Sequence, residues 1–178
     1  AFDAMDAAEW IANASVSPEN SGVGSTLNPT GTEPPPDSNR FAFRGIPNEG
    51  GPTRNLFRWF VPSDTYNVER IDFGRGSNTL LFGDSEPGGQ GNVYTKRANL
   101  GRSQGNVLVQ AGSYDTHRVN FDYNRAFGKK FAARLNLTQS HSEREVDYNA
   151  FDFAAMHGAA TYQPFKNTIV RVEAEAGD

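Results

Sequence analysis

Four side chains close together in sequence, Arg54, Phe57, Arg58 and Trp59, are placed to do recognition chemistry. A planar guanidinium binds anions in a two-point fork and stacks on aromatic faces, while an aromatic ring draws cations onto its face. Arginine interleaved with Phe and Trp in a segment joining two strands therefore suits an anionic or catecholate-type metal complex. Phe57 and Trp59 suit a small apolar core equally well. Arg44, Arg70 and Arg75 lie on or beside short strand-like stretches, where ordinary surface arginine is the simpler reading.

Other chemistries lack their residues. His117, His141 and His157 are scattered and do not have ligand spacing for a metal. Gly74-x-Gly76 has Thr79 where a dinucleotide loop needs its third glycine. Gly83 and Gly88 are followed by Gly89 and Gln90, not by the Lys and Ser/Thr of a phosphate loop. These glycines are expected to allow positive φ and close backbone packing. No paired carboxylates or nucleophile–base set stands out, so the chain is expected not to be an enzyme and to need no cofactor. Asn13-Ala14-Ser15 and Asn136-Leu137-Thr138 match the glycosylation sequon by chance.

Composition bounds the rest. The 178 residues suffice for one domain or one and a half. A net charge of −4 with mixed signs implies no nucleic-acid partner. The absence of cysteine excludes a disulfide scaffold and a thiol nucleophile. No apolar run approaches the ~18 residues of a transmembrane helix, which leaves a β-barrel open because barrel strands alternate. No charged-then-apolar leader precedes Ala1, so any signal peptide is expected to be removed or outside this sequence.

The elements that must position these residues fall into two compositional halves. Phe2 to Asn13 has a helix pattern capped by Asp3. Residues 15 to 39, with Pro34, Pro35 and Pro36, read as an extended connector. Short strands are expected at Phe41 to Gly45, Val68 to Phe73 and Asn92 to Lys96, an aromatic strand or loop at Leu56 to Val61, and a Gly/Pro turn over Gly83 to Gly91. Composition changes at 98 to 104. Strands are then expected at Asn106 to Ala111, His117 to Arg125, Phe131 to Gln139, Phe153 to Tyr162 and Thr168 to Ala176. Val119, Phe121, Tyr123, Leu135, Leu137, Val170 and Val172 alternate with Asn120, Asp122, Arg134, Asn136, Arg171 and Glu173. A soluble sandwich alternates too, but strands of ~9–11 residues also fit a transmembrane barrel. The joins at 126–130 and 163–167 are short and that at 140–152 is long, which places 140–152 outside the cell if the strands form such a barrel.

The segment Val68-Glu69-Arg70-Ile71-Asp72-Phe73-Gly74-Arg75-Gly76, then Leu80-Leu81-Phe82-Gly83, then Pro87-Gly88-Gly89-Gln90-Gly91-Asn92-Val93-Tyr94-Thr95-Lys96-Arg97 resembles the signature of the plug domain of TonB-dependent outer-membrane receptors of siderophore type. Ser77 replaces a common proline, and Asp72-Phe73-Gly74 replaces an apolar triplet.

The resemblance implies an α+β plug domain over 1–97, a linker over 98–104 and, over 105–178, the first five or so strands of a transmembrane β-barrel of about 22 strands. It implies a bacterial outer-membrane location and TonB-driven uptake of a scarce nutrient, in first place an iron–siderophore complex. Lipid, TonB and the nutrient ligand are the implied partners, with the TonB box expected before Ala1. It also implies that Arg44 and Arg75 face glutamates on the inner barrel wall, and that Arg54, Phe57, Arg58 and Trp59 lie at the plug apices. A receptor for cobalamin or carbohydrate and a soluble β-rich binding module are the alternatives.

Overall fold

A computed structural model describes residues 7, 10–12, 14–17, 40–44, 46–47, 53–59, 63–76, 87–113, 115–143 and 150–177. The chain divides into two compact units, Ala1–Thr95 and Lys96–Asp178.

The first unit contains two small sheets. Strands β1 (Ala14–Ser17), β2 (Arg40–Phe43) and β3 (Ile46–Pro47) form an antiparallel sheet in that order. A second sheet has the order β5 (Phe57–Arg58), β4 (Thr53–Arg54), β7 (Gly89–Thr95) and β6 (Val68–Arg75), with β4 parallel to β7 and the other pairs antiparallel. A 3-10 turn, Thr65–Asn67, leads into β6, and Asp64 caps it by accepting from the Tyr66 amide at 2.9 Å. Phe43 and Val93 are fully buried, packed with Ala14, Val68, Ile71 and Phe73, and the Phe43 and Phe73 rings meet edge to face at 6.2 Å.

The glycines of the signature segment have a steric cause. Gly89 has φ +143°, and a Cβ there would lie 2.4 Å from the Gly74 carbonyl oxygen and 2.6 Å from Phe43 Cδ2. A Cβ on Gly88 would come within 2.9 Å of Ile46 Cβ. Close approach to Phe43 and Ile46 therefore demands both glycines.

The second unit contains a five-stranded antiparallel meander of β8 (Gln104–Ala111), β9 (His117–Phe127), β10 (Phe131–Glu143), β11 (Ala150–Phe165) and β12 (Thr168–Gly177). Gly128 at φ +74° closes the β9–β10 turn, where Phe127 pairs with Phe131. Lys166 and Asn167 close the β11–β12 turn, with a bulge between Tyr162 and Phe165. Register aligns Val107, Phe121 and Leu137 with Met156 and Ala176 across all five strands, so one face is a continuous apolar sheet.

Several expectations change. Of the helix at Phe2 to Asn13, residues 1–6, 8, 9 and 13 lie outside the described residues, and Ala7 and Trp10 take 3-10 conformation. The connector begins later than expected, because Ala14–Ser17 pairs with Arg40–Phe43 across a gap that no local pattern reveals. Residues 18–39 and 77–86, including Leu80 to Gly83, lie outside the described residues. Gly89 to Gly91 join β7, because their amides and carbonyls pair with Phe73 to Arg75. The join at 140–152 shortens to 144–149, which lie outside the described residues, since Ser140–Glu143 pair with Ala150–Phe153.

Candidate functional site

The β4–β5 hairpin carries the four recognition candidates. Asn55 (φ +50°) and Leu56 (φ +73°) form its tight turn. Two side chains lock it to β7. Asn92 Oδ1 accepts from Leu56 N at 2.8 Å and from Thr53 Oγ1 at 2.9 Å, and Asn55 Nδ2 donates to Thr95 Oγ1 at 2.7 Å. The parallel β4–β7 ladder spans only two residue pairs, so these amides do much of the positioning.

The hairpin divides the four residues. Arg54 is buried, its guanidinium 4.6 Å from the Trp59 ring centroid, and Trp59 is half-buried. Phe57 is 76% exposed and Arg58 is exposed beside it. Phe57 and Arg58 are therefore open for contact, whereas Arg54 and Trp59 form a cation–π pair set into the first unit. Arg44, in a left-handed conformation at φ +53°, and Arg75, the last residue of β6, are both exposed. Arg70 stacks on Tyr94 at 4.2 Å and lies 3.3 Å from Asp72.

The five-stranded sheet inverts the arrangement of a water-soluble sheet. Most of its large apolar side chains are exposed, from 36% for Leu137 to 72% for Phe165. Val119, Phe121, Tyr123, Leu135 and Val170 are exposed with them. Among its described residues, the buried polar side chains are Arg118, Asn124, Asn136, Thr138, His157 and Thr161, beside the small apolar Ala132 and Ala159. A hydrogen-bond network satisfies much of this polar face. Arg134 grips Asp122 through two bonds of 2.8 Å, and Lys96 lies 3.0 Å from the same carboxylate. Thr138 Oγ1 and Arg118 Nε both donate to Asn120 Oδ1, at 2.8 and 3.0 Å. His157 lies 3.2 Å from Asn136 and 3.8 Å from Glu173. Burying such groups without partners would cost several kcal/mol, on the order of 1–3 each. Arg171, at the open edge strand, is exposed.

Sequence reasoning missed the segment from Lys96 to Ser103. From residue 98 on it reads as a plain linker, and Lys96 reads as the end of a strand, yet the whole segment packs on the polar face. Asn124 accepts from Asn99 N at 2.8 Å and donates to Asn99 O at 3.0 Å and Arg102 O at 2.7 Å. The available signal was Asn124 itself, a full amide on the polar side of a regular strand. Among the described residues, no group of three or more His, Asp or Glu side chains is arranged to hold a metal ion, and no helix is long and apolar enough to cross a membrane.

Comparison with known proteins gives consistent results. The chain is 30% identical over 145 residues to the ferrioxamine receptor of Yersinia enterocolitica, covering 75% of this chain and 20% of that protein. It is 37% identical over 76 residues to the probable TonB-dependent receptor BfrD of Bordetella pertussis, covering 42% of this chain and 10% of that one. Its fold matches the crystal structure of the siderophore receptor PiuA from Acinetobacter baumannii with a TM-score of 0.70 at 21% identity, over 79% of this chain and 20% of that one. No family model matches. The chain thus spans about a fifth, or less, of the proteins it resembles.

Proposed function

This chain belongs to the TonB-dependent outer-membrane receptors of siderophore type, and from that premise we propose that the receptor it forms part of takes up a ferric siderophore across the bacterial outer membrane. TonB supplies the energy, and no covalent chemistry is required. The first unit is the plug, and the five-stranded sheet is the start of the barrel, with limits near 1–97, 98–104 and 105–178. The division of the chain into Ala1–Thr95 and Lys96–Asp178 supports that partition.

One observation carries the reading: large apolar side chains cover the exposed face of the sheet while Arg118, Asn124, Asn136 and His157 are buried. A sheet folded in water would reverse this, and a soluble β-rich module would leave the face a liability for aggregation. Facing lipid, the same side chains are in their preferred solvent. Phe127, Phe131, Tyr162 and Phe165, all exposed near the two short turns, form an aromatic belt at one membrane edge. That edge is periplasmic, and the opposite end of the β10–β11 pair is extracellular.

Phe57 and Arg58 contact the ligand from the plug, and Arg54 braces Trp59 beneath them. Arg44 and Arg75 meet carboxylates of the inner wall, where a guanidinium fork gives two bonds per pair. The relative named for ferrioxamine supports a ferric siderophore as the ligand class. The test is uptake of iron-55 as ferrioxamine B, and as a ferric catecholate, by cells that depend on the full-length receptor. Saturable, TonB-dependent uptake of either is expected. Uptake of cobalamin or an oligosaccharide instead would overturn the ligand assignment.

A further inference from the structure

We propose that residues 96–103 are a fixed anchor: they stay seated on the polar face of the sheet when the first unit is displaced during transport, and Asp122 and Asn124 are the positioning residues that hold them. The inference rests on the receptor reading above. It concerns where the movable part of the chain ends, which that reading leaves open.

The anchor is held mainly through its backbone. Arg134 Nη1 donates to the Arg97 carbonyl at 3.1 Å. The Asn124 amide commits both its hydrogens and one acceptor site to the segment, taking one donor from Asn99 and giving its two hydrogens to Asn99 and Arg102. Ser103 Oγ accepts from Ala126 N at 3.0 Å. Side chains add to this. Lys96 lies 3.0 Å from Asp122 and Arg97 3.9 Å from Glu173, and Ala98 is buried against Ala132 and Ala159. The attachment therefore runs from the first to the last residue of the segment, and it includes charge-assisted bonds of about twice ordinary strength.

The chain before Lys96 is held differently. Its last strand, β7, lies between β6, with a register shift at Val68/Arg70, and the two-pair β4 ladder. The division between units falls at 95/96, immediately before the first anchor contact. A pull transmitted along the first unit thus reaches Asp122 and Arg134 only after β7 has yielded.

The experiment is single-molecule pulling on the full-length receptor in outer-membrane vesicles, with the handle at Ala1. Two cysteine pairs lock the anchor to the sheet, Ala98→Cys with Ala159→Cys, and Ala98→Cys with Ala132→Cys. The first long arrest is expected after about 310–340 Å of released chain, the extended length of residues 1–95 at ~3.3–3.6 Å each. Locked and reduced forms should release the same length. A reduced form that releases about 26–29 Å beyond that arrest, the length of residues 96–103 on the same scale, while the locked form stops at position 98, would overturn the anchor. The double variant Asp122→Ala/Asn124→Ala should release that extra length in the unlocked receptor at the original force. An unchanged arrest would overturn the role of these two residues. Pulling reads the anchor whatever the receptor carries, so failure of ferric-siderophore uptake would count against the functional reading alone.

Discussion

The first unit keeps Phe43 and Val93 inside, against Ala14, Val68, Ile71 and Phe73. The second buries Arg118, Asn124, Asn136 and His157 and leaves Val107, Phe121, Leu137 and Val172 outside. Among its described residues, the buried apolar cluster is the three alanines Ala98, Ala132 and Ala159. The same alternating strand chemistry therefore serves two solvents. In the first unit an aromatic cluster is withdrawn from water in the ordinary way. In the second, the polar face is the one that must be satisfied by hydrogen bonds, and the apolar face needs only a hydrocarbon surrounding.

The sharpest way to break this contrast is a charge on the exposed face. Phe121→Arg in the full-length receptor should cost about 2–4 kcal/mol of membrane stability near mid-bilayer. Asn120→Arg loses the bonds from Thr138 and Arg118 and should cost less, about 1–2 kcal/mol. Urea titration of the receptor refolded in vesicles gives both values. The reverse order would place Phe121 in a protein core.

Glycine substitutions probe the contrast from the other side. Gly89→Ala must clash with Phe43 and the Gly74 carbonyl and strain a positive φ, at about 1–3 kcal/mol. Gly158→Ala, with nothing within 4 Å of its Cβ, should stay within about 0.5 kcal/mol. Limited proteolysis of residues 1–95 should accelerate for the first variant only. Equal behaviour would mean that the first unit tolerates a gap between β7 and β2.

Ligand contact separates the exposed pair from the buried pair on the hairpin. Phe57→Ala/Arg58→Ala should weaken ferric-siderophore binding about tenfold, or ~1.4 kcal/mol, with unchanged receptor abundance. Arg54→Ala should reduce abundance as well, because it removes the guanidinium packed on Trp59. Unchanged affinity in the first variant would remove the hairpin from the binding site. The smallest effect is expected at Arg70, whose ion pair with Asp72 is largely solvated. Arg70→Ala should cost below about 1 kcal/mol in thermal denaturation, most of it from the Tyr94 stack.

Much of the second unit could be read from its residues because each strand carries its own period-two record. Val119, Phe121 and Tyr123 against Asn120, Asp122 and Asn124 state both the strand and its two faces without reference to any partner. The first unit offers no such record. Strand β1 exists only because Arg40–Phe43 lies beside it, and β4 only because Asn92 and Asn55 bind its turn. Arg54 is expected at a surface because its segment joins two strands, but it is buried, and stacking on Trp59 offsets the loss of water. The ladder extending through Ser140–Glu143 was hidden by the polar residues there, which suit a loop as well as a strand. The seating of 96–103 is not legible in its own sequence because four of its bonds run through the main chain of Arg97, Asn99 and Arg102.

Spin labels placed singly at residues 118 to 125 of the full-length receptor in outer-membrane vesicles test the inverted sheet most directly. Collision rates with oxygen, which concentrates in lipid, and with a water-soluble nickel chelate are compared at each position. Labels at Val119, Phe121 and Tyr123 should show high oxygen and low nickel collision rates, and those at Asn120, Asp122 and Asn124 should show low oxygen rates. High nickel accessibility at Val119, Phe121 and Tyr123, or loss of the alternation, would contradict a lipid-facing sheet and with it the receptor reading of this chain.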